Sequence, residues 1–279
     1  VEVRRHRSAV EFVAIAEPLY RRDPIANTIE LTFLCAGAVP ADTLLASVWD
    51  EDGTVVGATL QTPGYPLACN GIPAPALPAV VDRLTQWRPA LTGVRGTRSN
   101  AHAFADAWHA ATGRTATVSM EERLYRLATL RAPVDVAGVA RQACGDDREL
   151  LAKWAELFMA ETFGDTSSGN GPGFVDSAFR LGNRFVLWHV DDEPVSMAML
   201  RAPAAGVSRI GPVFTPTNRR GHGYGSAVTA AASSLAHRSG TPDVVLFADL
   251  ANPTSTSIYQ KIGFQVVADS VRIDFGTLG

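Results

Sequence analysis

The chain has 279 residues, 46% of them hydrophobic and 19% charged, with 24 Gly, 17 Pro and a formal net charge of −3. That length favours two domains, and that composition buries a real core and argues against disorder. The charge supplies no general attraction for nucleic acid or anionic lipid, so the expected partner is a small molecule or a protein. Cys35, Cys69 and Cys144 are odd in number and in no C-x-x-C spacing, so neither a disulfide framework nor a metal site is expected. No apolar stretch approaches the length of a membrane span, and the start VEVRRHRSAV lacks the apolar core of a secretion signal. These features predict a protein of the cytoplasm with reduced thiols and no membrane partner.

In chain order, the first strong signal is VWDEDGTVVGATLQTP at 48–63, where two apolar runs flank Asp52-Gly53. Gly53 accepts the positive φ that a tight turn needs, so the segment reads as a hairpin with strands ending near Trp49 and starting near Val55. An apolar helix at 76–87, a strand at 91–95, a helix at 100–111 and Gly113 follow. Arg131-Ala132-Pro133 marks a boundary, giving domains at 1–130 and 131–279. Beyond it come a strand at 134–141, an amphipathic helix at 146–163 and the Gly/Ser-rich GDTSSGNGPG at 164–173, a mobile loop placed to act as a substrate lid. A second hairpin runs 185–190 and 195–201, turning between Asp191 and Pro194, with Pro194 where its missing N–H does least harm. A strand at 207–214, a helix at 225–237 ended by Gly240, a strand at 244–248, a helix at 253–262 and Gly263 complete the pattern.

The halves repeat. WHVDDEPVSMAMLRAP from Trp188 lies 140 residues after the first hairpin and matches it at Val55 and Val195, Ala58 and Ala198, Leu60 and Leu200, and Pro63 and Pro203. Each hairpin is followed by the same succession of helix, strand, helix and Gly, which predicts a tandem duplication.

Chemistry concentrates in VSRIGPVFTPTNRRGHGYGS at 207–226, a strand feeding a helix through a loop with almost no side chains. Such a loop exposes consecutive N–H groups beside the positive end of a helix dipole, which suits a diphosphate; Arg219 or Arg220 adds charge. The spacing G-x-G-x-G is neither that of a P-loop nor the G-x-G-x-x-G of dinucleotide folds. Alone, the segment reads equally as a plain turn or as an anion site.

The partner segment is DLANPTSTSIYQKIGF, 249–264. With R-x-x-G-x-G at Arg220, Gly223 and Gly225, and N-x-x-S-x-x-x-Y-x-K-x-G-F at Asn252, Ser255, Tyr259, Lys261, Gly263 and Phe264, the second half resembles the GNAT superfamily of N-acetyltransferases over about residues 134–275. The resemblance implies an α+β fold, two GNAT-like domains each with a mixed, mostly antiparallel twisted sheet flanked by helices. It also implies acetyl-CoA as co-substrate, with no metal. Val213, Phe214 and Thr215 would offer backbone groups to the acetyl-pantetheine arm. Arg219, Arg220, Gly221, His222, Gly223, Tyr224, Gly225 and Ser226 would hold the pyrophosphate, and Asn252 would bond the arm. Tyr259 would be the general acid that protonates the departing thiolate. Read from the residues alone, Tyr259 is also a core aromatic beside Ile258 and Ile262. Glu161, Asp176, His189 and Asp249 are candidate bases, none with a supporting motif, and no base is named.

The first half looks like a worn copy. Its loop reads CNGIPAPALPAV at 69–80, Pro-rich and short of free N–H groups, and His109 stands 150 residues before Tyr259. The expectation is a tandem GNAT protein with a degenerate N-terminal domain and one acetyl-CoA site, acting on a primary amine of an unidentified small molecule or peptide as monomer or homodimer. A non-catalytic acyl-CoA sensor and a transferase of a longer acyl group are the alternatives.

Overall fold

The computed structural model describes residues 1–37, 39–164 and 170–277. The chain forms two compact units, one of Val1–Leu124, Asp249–Ala251 and Val267–Gly279, the other of Tyr125–Ala248 and Asn252–Val266. The sequence suggests one cut after residue 130; the units part after Leu124, and the first takes two segments from the end of the chain.

The first unit runs β1 (Glu2–Arg5), α1 (Ala9–Tyr20), α2 (Thr28–Cys35), β2 (Leu44–Trp49), β3 (Val55–Gln61), β4 (Leu67–Ala68), α3 (Leu77–Trp87), β5 (Gly93–Thr97), α4 (Arg98–Thr112) and the start of β6 (Ala116–Leu127). The second runs from the end of β6 through β7 (Val139–Gln142), α5 (Arg148–Phe163), α6 (Gly171–Arg180), β8 (Arg184–Val190), β9 (Glu193–Leu200), β10 (Val207–Phe214), α7 (Tyr224–Arg238), β11 (Asp243–Asp249) and α8 (Pro253–Lys261). The last strand, β12 (Phe264–Phe275), gives residues 267–275 back to the first unit. Each unit is α+β with a mostly antiparallel sheet flanked by helices.

In the first unit the strands follow the order β1-β2-β3-β4-β5-β12, with β4 and β5 parallel. Gly53 turns the β2–β3 hairpin at φ 75°. Helix α4 buries Ala101, Phe104, Ala105 and Trp108, the i, i+3, i+4, i+7 stripe of an amphipathic helix, and Gly113 ends it in the left-handed region at φ 70°. Its Trp108 stacks on Phe275 at 5.5 Å between ring centres. The buried Arg114 guanidinium donates to the carbonyls of Pro89 at 3.0 Å, Leu91 at 2.8 Å and Gly276 at 2.6 Å, satisfying its donors with backbone acceptors.

In the second unit the order is β7-β8-β9-β10-β11, with β10 and β11 parallel and the other pairs antiparallel. One cluster of apolar side chains packs beneath α7 and α8 and a second beneath α5 and α6. The β8–β9 turn is tighter than the sequence suggests: Asp191 and Asp192 alone make it, at φ 49° and 63°, and Val190 pairs with Glu193. Asp tolerates that left-handed geometry better than most residues. The expected strand at 134–141 begins only at Val139, because Gly138 at φ 111° sets the chain on its course and β8 offers its first partner at His189. The proposed loop at 164–173 is partly helix. Gly171 to Gly173 make the first turn of α6, capped by Asn170, whose Oδ1 accepts from Gly173 N–H at 3.0 Å; residues 165–169 lie outside the described residues.

Candidate functional site

Strand β10 stays with β9 to its end, through Val213 opposite Ala198 and Phe214 opposite Met197. With β11 it is in register only from Val207 opposite Asp243 to Ile210 opposite Leu246, although β10 continues to Phe214 and β11 to Asp249. The ladder is interrupted at Gly211-Pro212, where the β9 register shifts and Pro212 has no N–H to donate. Past Ile210 the two parallel strands are no longer in register, and strands that diverge in this way leave an edge along which an extended ligand can lie. The predicted Val213, Phe214 and Thr215 stand on that tail. Phe214 sends its ring to the α5 face, 6.1 Å from Trp154. The tail is pinned by Ser196, which is fully buried on β9, donates to the Phe214 carbonyl at 3.0 Å and shares a 2.8 Å hydrogen bond with the Thr215 hydroxyl.

A short 3-10 turn, Thr217–Arg219, leads into the glycine loop. Gly221 and Gly223 have φ 85° and 79°, which forces the choice of glycine at both. Gly225 differs: a Cβ built there would meet nothing closer than Thr215 Oγ1 at an ordinary 3.6 Å, so the fold itself does not require glycine in this first helical turn. The first helical bond that closes is Ala227 N–H to the Gly223 carbonyl at 3.0 Å, so the N–H groups at the start of α7 precede any intrahelical acceptor. They lie at the positive end of a helix spanning Tyr224–Arg238. His222 stacks on Tyr224 with ring centres 5.4 Å apart.

Both arginines reach carboxylates. Arg219 meets Glu193 at 2.6 Å, and Arg220 meets Glu161 at 2.6 Å while its Nε donates to the Thr215 carbonyl at 2.9 Å. Arg220 thus fastens the loop to the end of β10 and to the last turns of α5. The Arg219 pair is half exposed and worth little, so that side chain is free to exchange its partner for another anion.

Tyr259 is 9% exposed, packed among Tyr125 at 6.5 Å and Phe264 at 6.2 Å between ring centres. Burial pushes its phenol up to about 12. The two sequence readings of this residue therefore meet in one place, a core aromatic in the cluster that also holds Ile210 and Leu246, the last rung before β10 and β11 part. Asn252 sits exposed immediately before α8, and Pro253 opens that helix where a missing N–H is harmless. Gly263, at φ 105°, lets the chain pass against the Thr129 carbonyl.

Of the four candidate bases, the three carboxylates each have a partner, whereas His189 has a buried Nε2 with no hydrogen-bond partner among the described residues. Glu161 is held by Arg220. Asp176 is held at 2.6 Å by Arg148, whose guanidinium keeps its carboxyl below the usual range. His189 Nδ1 lies 3.2 Å from the Asp192 carbonyl at the hairpin tip, and Asp249 Oδ1 accepts from Ala251 N–H at 2.8 Å. No group of three or more acidic, His or Cys side chains suited to a metal occurs among the described residues, and no helix there is long and apolar enough to cross a membrane. A cavity of about 350 Å³ flanks α7 between Trp188 and Ser234, and none of the predicted site residues lines it.

The first unit lacks the opening. There Cys69 N–H donates to the Arg95 carbonyl at 2.9 Å, and the Asn70 side chain accepts from Thr97 N–H at 2.7 Å, so β4 and β5 remain joined beyond their registered residues. Cys69 is buried, which pushes its thiol far up, and Cys35 and Cys144 are free. His109 is exposed, with Nδ1 2.8 Å from the Arg114 carbonyl; the aromatic that α4 buries is Trp108, one residue earlier. The correspondence of His109 to Tyr259 by numbering is thus shifted by one position on the helix.

Residues 190–273 match the family model described as FR47-like protein. No curated protein sequence matches the chain. Solved structures share its fold almost end to end. A GCN5-related N-acetyltransferase from Sphaerobacter thermophilus is 16% identical, with TM-score 0.63, covering 98% of this chain and 94% of its own. A tandem GNAT protein from the clavulanic acid biosynthesis pathway is 14% identical, with TM-score 0.62, covering 99% and 98%. A GCN5-related N-acetyltransferase from Kribbella flavida is 18% identical, with TM-score 0.59, covering 91% and 96%. Two units of one architecture and the parted strands before a glycine loop give the chain the fold of these solved acetyltransferase structures over nearly its whole length, while the family match itself is confined to residues 190–273.

Proposed function

We propose that the second unit binds acetyl-CoA and transfers its acetyl group directly to a primary amine within a ternary complex. The observation that carries the reading is the sequence of three features along one path: the tail of β10 that has left the register of β11, the glycine loop, and the N–H groups that open α7. Gly225 supports it, because a glycine that the fold does not need in a first helical turn costs about 1 kcal/mol against alanine and leaves room outside for a ligand.

In this reading the pyrophosphate rests on the backbone of 221–226, with Arg219 turning from Glu193 to the anion and Arg220 holding the loop in place. Val213 to Thr215 and Asn252 bond the pantetheine arm. The amine, in its neutral form, attacks the thioester carbonyl; collapse of the adduct forms the amide and expels the thiolate, Tyr259 supplies the proton that thiolate takes, and the proton the amine nitrogen gives up passes to solvent, from which the phenol is restored. A phenol whose acidity burial has reduced stays protonated throughout the neutral range, as that role requires. The joined strands of the first unit support one coenzyme site per chain.

Release of free thiol from acetyl-CoA, followed across a broad panel of amines, tests the activity. Turnover with one amine class and its loss in Tyr259→Phe, with acetyl-CoA still bound, is the expected result. Binding without turnover on any amine identifies a sensor, and turnover only with propionyl- or succinyl-CoA identifies a transferase of a longer group.

A further inference from the structure

The described residues of the second unit contain a buried hydroxyl that the predicted site does not use. Tyr125, near the end of β6, is completely buried, and its phenol oxygen has no hydrogen-bond partner among the described residues. A buried hydroxyl left unbonded costs about 1–3 kcal/mol, while phenylalanine fills nearly the same space at no such cost. The ring lies in the apolar cluster beneath α7 and α8, which also holds Tyr259 and the last registered rung of β10 and β11, Ile210 opposite Leu246.

The first unit offers an internal comparison. Phe275, which follows Tyr125 by the 150 residues that separate Gly113 from Gly263, packs on the buried aromatic of α4 as Tyr125 packs beside that of α8. In the unit whose strands are joined this position has no hydroxyl; in the unit whose strands part it has one.

We propose that Tyr125 is a coenzyme-contacting residue, its hydroxyl donating to a carbonyl oxygen of the acyl-pantetheine arm once that arm lies between β10 and β11. The assignment rests on the acetyl-CoA reading of the second unit. It gives the unbonded hydroxyl a partner that arrives with the ligand, and it places a ligand contact on a strand that the sequence assigns to the first half of the repeat.

Titration calorimetry of wild type and Tyr125→Phe with two probes tests it: acetyl-CoA, and 3′-phospho-ADP, the coenzyme's nucleotide without its arm. The expected result is an affinity for acetyl-CoA lowered about three- to tenfold in Tyr125→Phe, the equivalent of one hydrogen bond, with 3′-phospho-ADP bound as in wild type and Tm equal or higher. An unchanged acetyl-CoA affinity overturns the assignment to Tyr125 alone. Equal weakening of both probes together with a lower Tm overturns it too, by showing a general distortion. Wild type that binds neither probe overturns the coenzyme reading on which it rests.

Discussion

Replacing Tyr259 by phenylalanine should remove a specific part of the alkaline instability of this protein. Burial raises the phenol from its ordinary 10.0 to about 12 in the folded chain. The proton is therefore held more tightly in the folded state, so the stabilisation is fully present below pH 10 and is lost as pH rises toward 12. At pH 10.5 about three quarters of the unfolded chains carry an ionised phenolate at this position but only about 3% of the folded ones, which lowers stability by about 0.8 kcal/mol relative to pH 8. The phenylalanine ring cannot ionise, so the variant should lose about 0.8 kcal/mol less than wild type between the two pH values. Urea unfolding of both proteins at pH 8 and 10.5, at matched ionic strength, measures the difference, and the other tyrosines, Tyr20 among them, cancel in it. Identical pH dependence in the two proteins would refute the claim that Tyr259 is a buried phenol and, with it, the physical basis for its staying protonated as an acid.

Further outcomes follow from the geometry. Gly263→Ala should lower stability by about 3 kcal/mol or more, because φ 105° excludes a side chain and its Cβ would enter the Thr129 carbonyl oxygen; a fall in Tm of several degrees checks it. Ser196→Ala should weaken acetyl-CoA binding severalfold and cost about 1–2 kcal/mol by urea unfolding, since it frees the end of β10 from its bonds at Phe214 and Thr215. Asp147 is held down at about 2, first by the Arg141 hydrogen bond, so its stabilisation is present above the ordinary 3.8 and lost as pH falls through 2. Because Arg141 is 44% exposed, Asp147→Asn should cost only about 1 kcal/mol at pH 7, and unfolding at pH 7 and 2.5 should show the gap from wild type closing.

Much of the architecture was legible because it is written in local geometry. Asp52-Gly53, Gly113, Gly240 and Gly263 all take positive φ at their glycines where a turn or helix end was expected, and the two hairpins of the repeat stand where the matching residues placed them. The glycine loop before α7 was legible for the same reason. Its arginines were less so: the sequence offers their charge, but Glu161 and Glu193, which take it up, lie far away along the chain. Ser196 reads as one small polar residue in an apolar strand, and only the pairing of β9 with β10 reveals which carbonyl it holds. A fixed numerical offset points to His109 and misses Trp108, because it ignores the helical stripe that decides which face is buried. Tyr125 carried no signal at all, since the strands and helices that surround it come from much later in the chain.

The most direct measurement is titration calorimetry of acetyl-CoA into wild type and Gly223→Asp. The variant puts a side chain at φ 79°, with Cβ 2.9 Å from Val136, and a negative charge beside the N-terminus of α7. Wild type should bind one acetyl-CoA per chain, and the variant should bind at least about tenfold more weakly while keeping its fold. Equal binding by both proteins, or two equivalents per chain in wild type, would contradict a single coenzyme site on this loop.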